Sequence, residues 1–133
     1  MPLFYNSQQR VNPIDREAPK KWYLSIKSTK QLKKESVAKD ISDETTLNPM
    51  EAQMALYQLE KVLIRWLLEG RTVKLGDLGS FSLTVKSKAV DTEEEVHPRI
   101  VEKVNVRFRP SEALKEAINK AEFLPSDAVS NKK

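Results

Sequence analysis

Apolar and polar residues alternate along three stretches of this chain and recur at helical spacing along three others. The clearest alternation runs over residues 100–110. Val104, Val106 and Phe108 fall on one side of an extended chain, and Lys103, Asn105, Arg107 and Arg109 fall on the other. A strand here presents four polar groups, three of them cationic, over about 20 Å of one face. Earlier, Val73 and Leu75 alternate with Thr72 and Lys74, and Phe81, Leu83 and Val85 alternate with Ser80, Ser82, Thr84 and Lys86. Gly76-Asp77-Leu78-Gly79 lies between these two runs and predicts the turn of a β-hairpin. The third alternating stretch is residues 20–27, with Trp22, Leu24 and Ile26 on one face and Tyr23, Ser25 and Lys27 on the other. Lys20, Lys21, Lys27 and Lys30 flank it, as expected of a solvated edge strand in preference to direct contact of these lysines with a ligand. Residues 6–19 are polar and hold Pro13 and Pro19, which predicts a loop or irregular arm after the short apolar piece Leu3-Phe4-Tyr5.

Helical spacing begins with Leu32, Val37, Ala38 and Ile41, a narrow stripe predicting a first helix over about residues 30–42 with Thr29 as its cap. Asn48-Pro49-Met50-Glu51 marks the start of a second helix running to about residue 69: Asn48 caps, Pro49 takes the first helical position and Glu51 the third. Its apolar positions include Met50, Met54, Tyr57, Val62, Leu63, Ile64, Trp66, Leu67 and Leu68, and its last turns are apolar around most of their circumference. A helix of that kind must be covered on several sides. A short chain has few elements to cover it, so a second subunit is expected, in preference to a helix wrapped by the chain's own strands. Gly70 reads as the residue just past this helix. Ser111 is expected to cap a last helix to about residue 123, with Leu114, Ala117, Ile118 and Ala121 as its buried stripe. Residues 87–99 lack glycine and hold Asp91, Glu93, Glu94 and Glu95, which predicts a projecting arm. The expected division is an N-terminal extension with one or two short strands at 1–29, an α+β domain at 30–123, and a disordered tail at 124–133.

The chain has 133 residues, 39% hydrophobic and 32% charged, a composition that suits one domain with extensions. No apolar run approaches the ~20 residues of a membrane helix, and the N-terminus lacks the basic and apolar regions of a secretory signal. The absence of cysteine removes disulfides, thiol catalysis and cysteine-based zinc sites. A net charge of +4 permits a polyanionic partner without demanding one. Nothing predicts an enzyme: His97, the single histidine, lies in the acidic arm, and the glycine turn lacks the length and the Lys-Ser/Thr of a phosphate loop. Glu93 to Glu95 lie in a loop that would neither desolvate nor orient them for acid–base chemistry. No catalytic residue, metal, cofactor or small-molecule substrate is expected.

The order of elements resembles the HU/IHF family of bacterial histone-like DNA-binding proteins over roughly residues 30–121. Val73-Lys74-Leu75-Gly76-Asp77-Leu78-Gly79-Ser80-Phe81 is similar to the family's hairpin V-x-L-x-G-F-G-T-F. Arg107-Phe108-Arg109-Pro110-Ser111-Glu112-Ala113-Leu114-Lys115 is similar to its strand-to-helix junction, and Leu32, Ala38 and Ile41 sit where its first helix is apolar. Pro19-Lys20-Lys21-Trp22-Tyr23 resembles the leader of an HU-like subgroup from Bacteroidetes-type bacteria. The resemblance implies an intertwined homodimer with two N-terminal helices, a β-hairpin with arm and return strand, and a C-terminal helix. Leu63, Trp66, Leu67, Phe81 and Phe108 would lie in the dimer core. It further implies binding of double-stranded DNA, largely independent of sequence, with bending or compaction in the cytoplasm and nucleoid. The DNA-binding positions it implies are Lys74, Lys86, Lys103, Asn105, Arg107 and Arg109 on the sheet, Lys88 and Arg99 in the arm, and Pro98 as an apolar wedge. The acidic arm departs from the family's arginine-rich one, so the alternative is an HU-like interaction module whose arm and N-terminal extension bind protein.

Overall fold

The computed structural model describes residues 2–126, which divide into two compact units: the residues up to Gln31 together with those from Ala117 onward, and Leu32–Glu116. The first unit is a three-stranded sheet. Strand β1 (Leu3–Arg10) pairs antiparallel with β2 (Lys21–Ile26), from Tyr5 opposite Ile26 to Arg10 opposite Lys21. The polar run Asn6-Ser7-Gln8-Gln9 is thus strand, where its composition predicts loop. Pairing with β2 satisfies its backbone and outweighs its weak β-propensity. The two prolines stay in the connection, residues 11–20.

The second unit holds α1 (Lys34–Glu44), α2 (Pro49–Leu68) and a sheet of β3 (Val73–Leu75), β4 (Gly79–Ser87) and β5 (Val101–Pro110) in the order β3-β4-β5. Helix α1 starts four residues later than the stripe predicts. Its cap position is Lys33, with no side-chain hydrogen bond, and neither Thr29 nor Leu32 belongs to it. The start of α2 is as the sequence predicts. The Asn48 side chain accepts from the Glu51 N–H at 2.8 Å and donates back to the Glu51 carboxylate at 2.8 Å, satisfying a free helix-end donor. Gly70 (φ 80°) ends it, and Gly76 (φ 49°) and Gly79 (φ 150°) make the hairpin turn.

The C-terminal helix α3 (Glu112–Asn119) is shorter than expected. Ser111 caps it, its hydroxyl accepting from the Leu114 N–H at 3.1 Å. No α3 residue is buried: Leu114 is half-buried and Ile118 exposed, so the expected stripe is not covered within the chain. After α3, β6 (Phe123–Pro125) pairs parallel with β1, in the first unit, where the sequence predicts the end of a helix and the start of a tail. From residue 127 on, the expected tail lies outside the described residues.

Among the described residues the buried apolar side chains are Ala38, Ala52, Leu67 and Val73 alone. Along α2, Met50 (74% exposed), Met54, Tyr57, Ile64 and Leu68 (76%) stand open. No helix among the described residues is long and apolar enough to cross a membrane.

Candidate nucleic-acid interface

The register of β4 against β5 assembles the site. Ser80 lies opposite Arg109, Ser82 opposite Arg107, Thr84 opposite Asn105, and Lys86 opposite Lys103. Directly opposed residues share a sheet face, so four polar rungs are stacked along one side. Strand β3 extends the first rung to three residues, since Lys74 lies opposite Ser80. Thr72, Ser80, Ser82, Arg107 and Arg109 line a groove of about 240 Å³. The five cationic side chains of these rungs are exposed. A face of ammonium and guanidinium groups interspersed with hydroxyl and amide groups offers donors to an anionic polymer, and arginine does so in bidentate form.

The opposite face is apolar. Phe81 lies opposite Phe108 with ring centroids 4.9 Å apart, followed by Leu83 opposite Val106 and Val85 opposite Val104. Val85, Val104, Val106 and Phe108 are exposed in the single chain.

Between Lys86 and Ser87 the register shifts: Lys86 opposes Lys103 but Ser87 opposes Val101, so Glu102 is an extra residue on β5. This is a β-bulge. Two consecutive polar residues, Glu102 and Lys103, interrupt the alternation, which was the signal available in the sequence for it. The bulge carries the Glu102 carboxylate to 3.8 Å from the Lys86 ammonium, so one cation of the last rung faces a carboxylate within the chain.

Beyond the bulge, the Lys88 N–H donates to the Ile100 carbonyl at 2.9 Å, and the arm then closes through short 3₁₀ turns at Glu93–Glu95 and Pro98–Ile100. Lys74, Lys86, Lys103, Asn105, Arg107 and Arg109 are therefore gathered on one face. Pro98 and Arg99 lie in the second 3₁₀ turn of the arm, where it returns to β5, apart from those rungs. Arg99 is engaged locally: its backbone N–H and its Nε both donate to His97 Nδ1, at 3.1 and 3.3 Å. Among the described residues no group of three His, Cys, Asp or Glu is placed to hold a metal ion.

A second link was not visible in the sequence. The Ser111 hydroxyl also donates to the Asp77 carbonyl, and the Ser111 N–H donates to the Leu78 carbonyl at 3.2 Å. One residue ties the end of the cationic strand to the hairpin turn.

The family model described as an HU domain fused to wHTH, Ig or glycine-rich motif matches residues 1–125. A crystal structure of a provisionally assigned DNA-binding protein from the bacterium Bacteroides vulgatus is similar at a TM-score of 0.64 and 16% identity, over 92% of this chain. This chain spans about half, 48%, of that one. HU from Anabaena, crystallised with DNA, is similar at a TM-score of 0.54 and 15% identity, over 67% of this chain and 99% of the other. No curated protein matches the sequence.

Proposed function

This chain belongs to the family of HU domains fused to wHTH, Ig or glycine-rich motifs, and from that premise we propose that it is a non-catalytic protein that binds double-stranded DNA with little regard to sequence, as a homodimer. The observation that carries the reading is the cationic sheet face, whose rungs hold Lys74, Lys86, Lys103, Arg107 and Arg109. Contacts of such groups with phosphate release condensed counterions and are indifferent to base sequence. The Thr84 hydroxyl and the Asn105 amide add neutral donors. Lys88 and Arg99 extend the contact into the arm, and Pro98 is its apolar wedge. Like charge keeps Asp91 and Glu93 to Glu95 away from phosphate, so the tip stays outside the groove. Bending or compaction of DNA and association with the nucleoid follow from this mode of binding.

The homodimer is supported by what one chain leaves open. The exposed faces of α2 and the apolar side of the β4–β5 pair lack a cover, and a second copy supplies the matching apolar surface. On this reading Leu63, Trp66, Leu67, Phe81 and Phe108 contribute to that shared core.

The test is a titration of labelled duplex DNA by fluorescence anisotropy at several salt concentrations, with R107A/R109A alongside. Binding is expected to weaken steeply with salt, and the variant to lower the slope of log K against log salt by about 2 for each subunit in contact with the duplex. Absence of binding at low salt would overturn the reading and leave the acidic arm as a surface for a protein partner.

A further inference from the structure

The charge of the chain is unevenly distributed. Residues 1–31 hold six lysines and arginines (Arg10, Arg16, Lys20, Lys21, Lys27 and Lys30) against two acids, Asp15 and Glu17. That excess equals the +4 of the whole chain, so residues 32–133 are balanced. The attraction for a polyanion at a distance therefore comes from the N-terminal segment. Among the described residues, no carboxylate is in ion-pair contact with any of those six cations, whereas Lys86 faces Glu102.

The structure places four of the six at one end of a two-stranded ribbon. Arg10 ends β1, Lys21 begins β2 directly opposite it, and Arg16 and Lys20 lie in the connection; all four are exposed. The Arg10 guanidinium lies 5.3 Å from the centre of the Tyr23 ring, which limits its freedom without neutralising it. The loop is organised by its own hydrogen bonds. The Ile14 N–H donates to Asn12 Oδ1 at 2.9 Å, and the Glu17 N–H donates to Asp15 Oδ1 at 3.1 Å. Between these turns Ile14 stands 94% exposed, beside Pro13.

We propose that the β1–β2 hairpin is a DNA contact in its own right, in which Arg10, Arg16, Lys20 and Lys21 neutralise phosphates and the Pro13-Ile14 tip rests in the minor groove of a duplex. It rests on the DNA-binding reading above and adds a site separate from the sheet face. A whole two-stranded ribbon is too wide for the minor groove, but a narrow tip is not, and small apolar tips that include proline and isoleucine are used there as wedges between base steps. The polar strand Asn6-Ser7-Gln8-Gln9 favours this partner over a lipid surface. It offers hydrogen-bonding groups suited to sugars and base edges, while its partner strand β2 exposes Trp22, Leu24 and Ile26, a feature a lipid surface would also use and which the vesicle measurement below separates.

Three variants test it by the same anisotropy titration. R10A/R16A/K20A/K21A is expected to weaken binding at least tenfold at low salt and to lower the salt slope by about 3 to 4 for each subunit whose hairpin contacts the duplex, near 0.9 for each phosphate no longer neutralised. D15N/E17Q, which keeps the loop's acceptor oxygens, is expected to tighten binding several-fold, a change that misfolding does not produce. I14S is expected to leave the slope unchanged while reducing the bend reported by energy transfer between the duplex ends. A quadruple variant with wild-type affinity and slope, beside an R107A/R109A protein that no longer binds, would overturn the hairpin site and leave the DNA reading standing. A wild-type protein that ignores DNA at low salt would overturn both. A quadruple variant that no longer binds vesicles of anionic phospholipid, with its DNA slope intact, would make the hairpin a membrane-surface element and overturn the proposal.

Discussion

Gly79 and Gly70 both have positive φ, yet their environments differ. A Cβ on Gly79 would meet the Arg109 carbonyl oxygen and come within 2.8 Å of the Phe108 ring, whereas nothing lies within 4 Å of a Cβ on Gly70. Gly79→Ala therefore combines backbone strain with overpacking and is expected to cost about 2–4 kcal/mol. Gly70→Ala carries the strain alone, about 1 kcal/mol. Denaturant unfolding of both variants at one protein concentration checks the difference. Ser111→Ala removes a cap and the tie to Asp77, and is expected to cost about 1–2 kcal/mol in the same measurement. The need for glycine at both positions, and the cap at Ser111, were legible because turn and cap geometry depend on neighbours in sequence. That a Cβ on Gly79 would strike β5 was not, because it depends on a partner strand thirty residues away.

Among elements, strands with strict alternation were the most legible. Val104, Val106 and Phe108 against Lys103, Asn105, Arg107 and Arg109 fixed both the strand and its cationic face. Strand β1 was hidden because Asn6-Ser7-Gln8-Gln9 carries no apolar period and is extended only through pairing with β2. Strand β6 was hidden for a similar reason: three residues pair in parallel across the length of the chain. Helix α1 lost its predicted first turn because no side chain caps it. At the arm, four carboxylates oppose any approach to phosphate. D91N/E93Q/E94Q/E95Q is expected to tighten duplex binding several-fold at low salt, with the difference fading as salt rises. Glu102→Gln frees Lys86 and is expected to act in the same direction but more weakly, since an exposed pair at 3.8 Å is a loose one. Anisotropy titration of each variant against the wild type reads both effects.

For the molecule as a whole, the apolar surface left open on α2 and on the second unit's sheet leads to a test of the homodimer. Ile64→Glu introduces a charge on α2 at a side chain that one chain leaves 59% exposed. In an isolated chain such a substitution would be nearly neutral. On the dimer reading it is expected to lower the sedimentation mass to that of one chain and to reduce the unfolding midpoint by several degrees. The all-round apolar character of α2 was legible in its composition; what covers it was not, since one chain leaves Met50, Met54, Ile64 and Leu68 open. The small number of buried side chains has a further consequence. If the core is completed only in the pair, stability contains the logarithm of protein concentration. A newly made chain then stays in an open, protease-sensitive form until it meets another, and the level of the protein in the cell acquires a threshold. Below it, chains are removed before they pair. Above it, each pair that forms withdraws its members from degradation, so a modest change in synthesis produces a disproportionate change in the amount of folded protein.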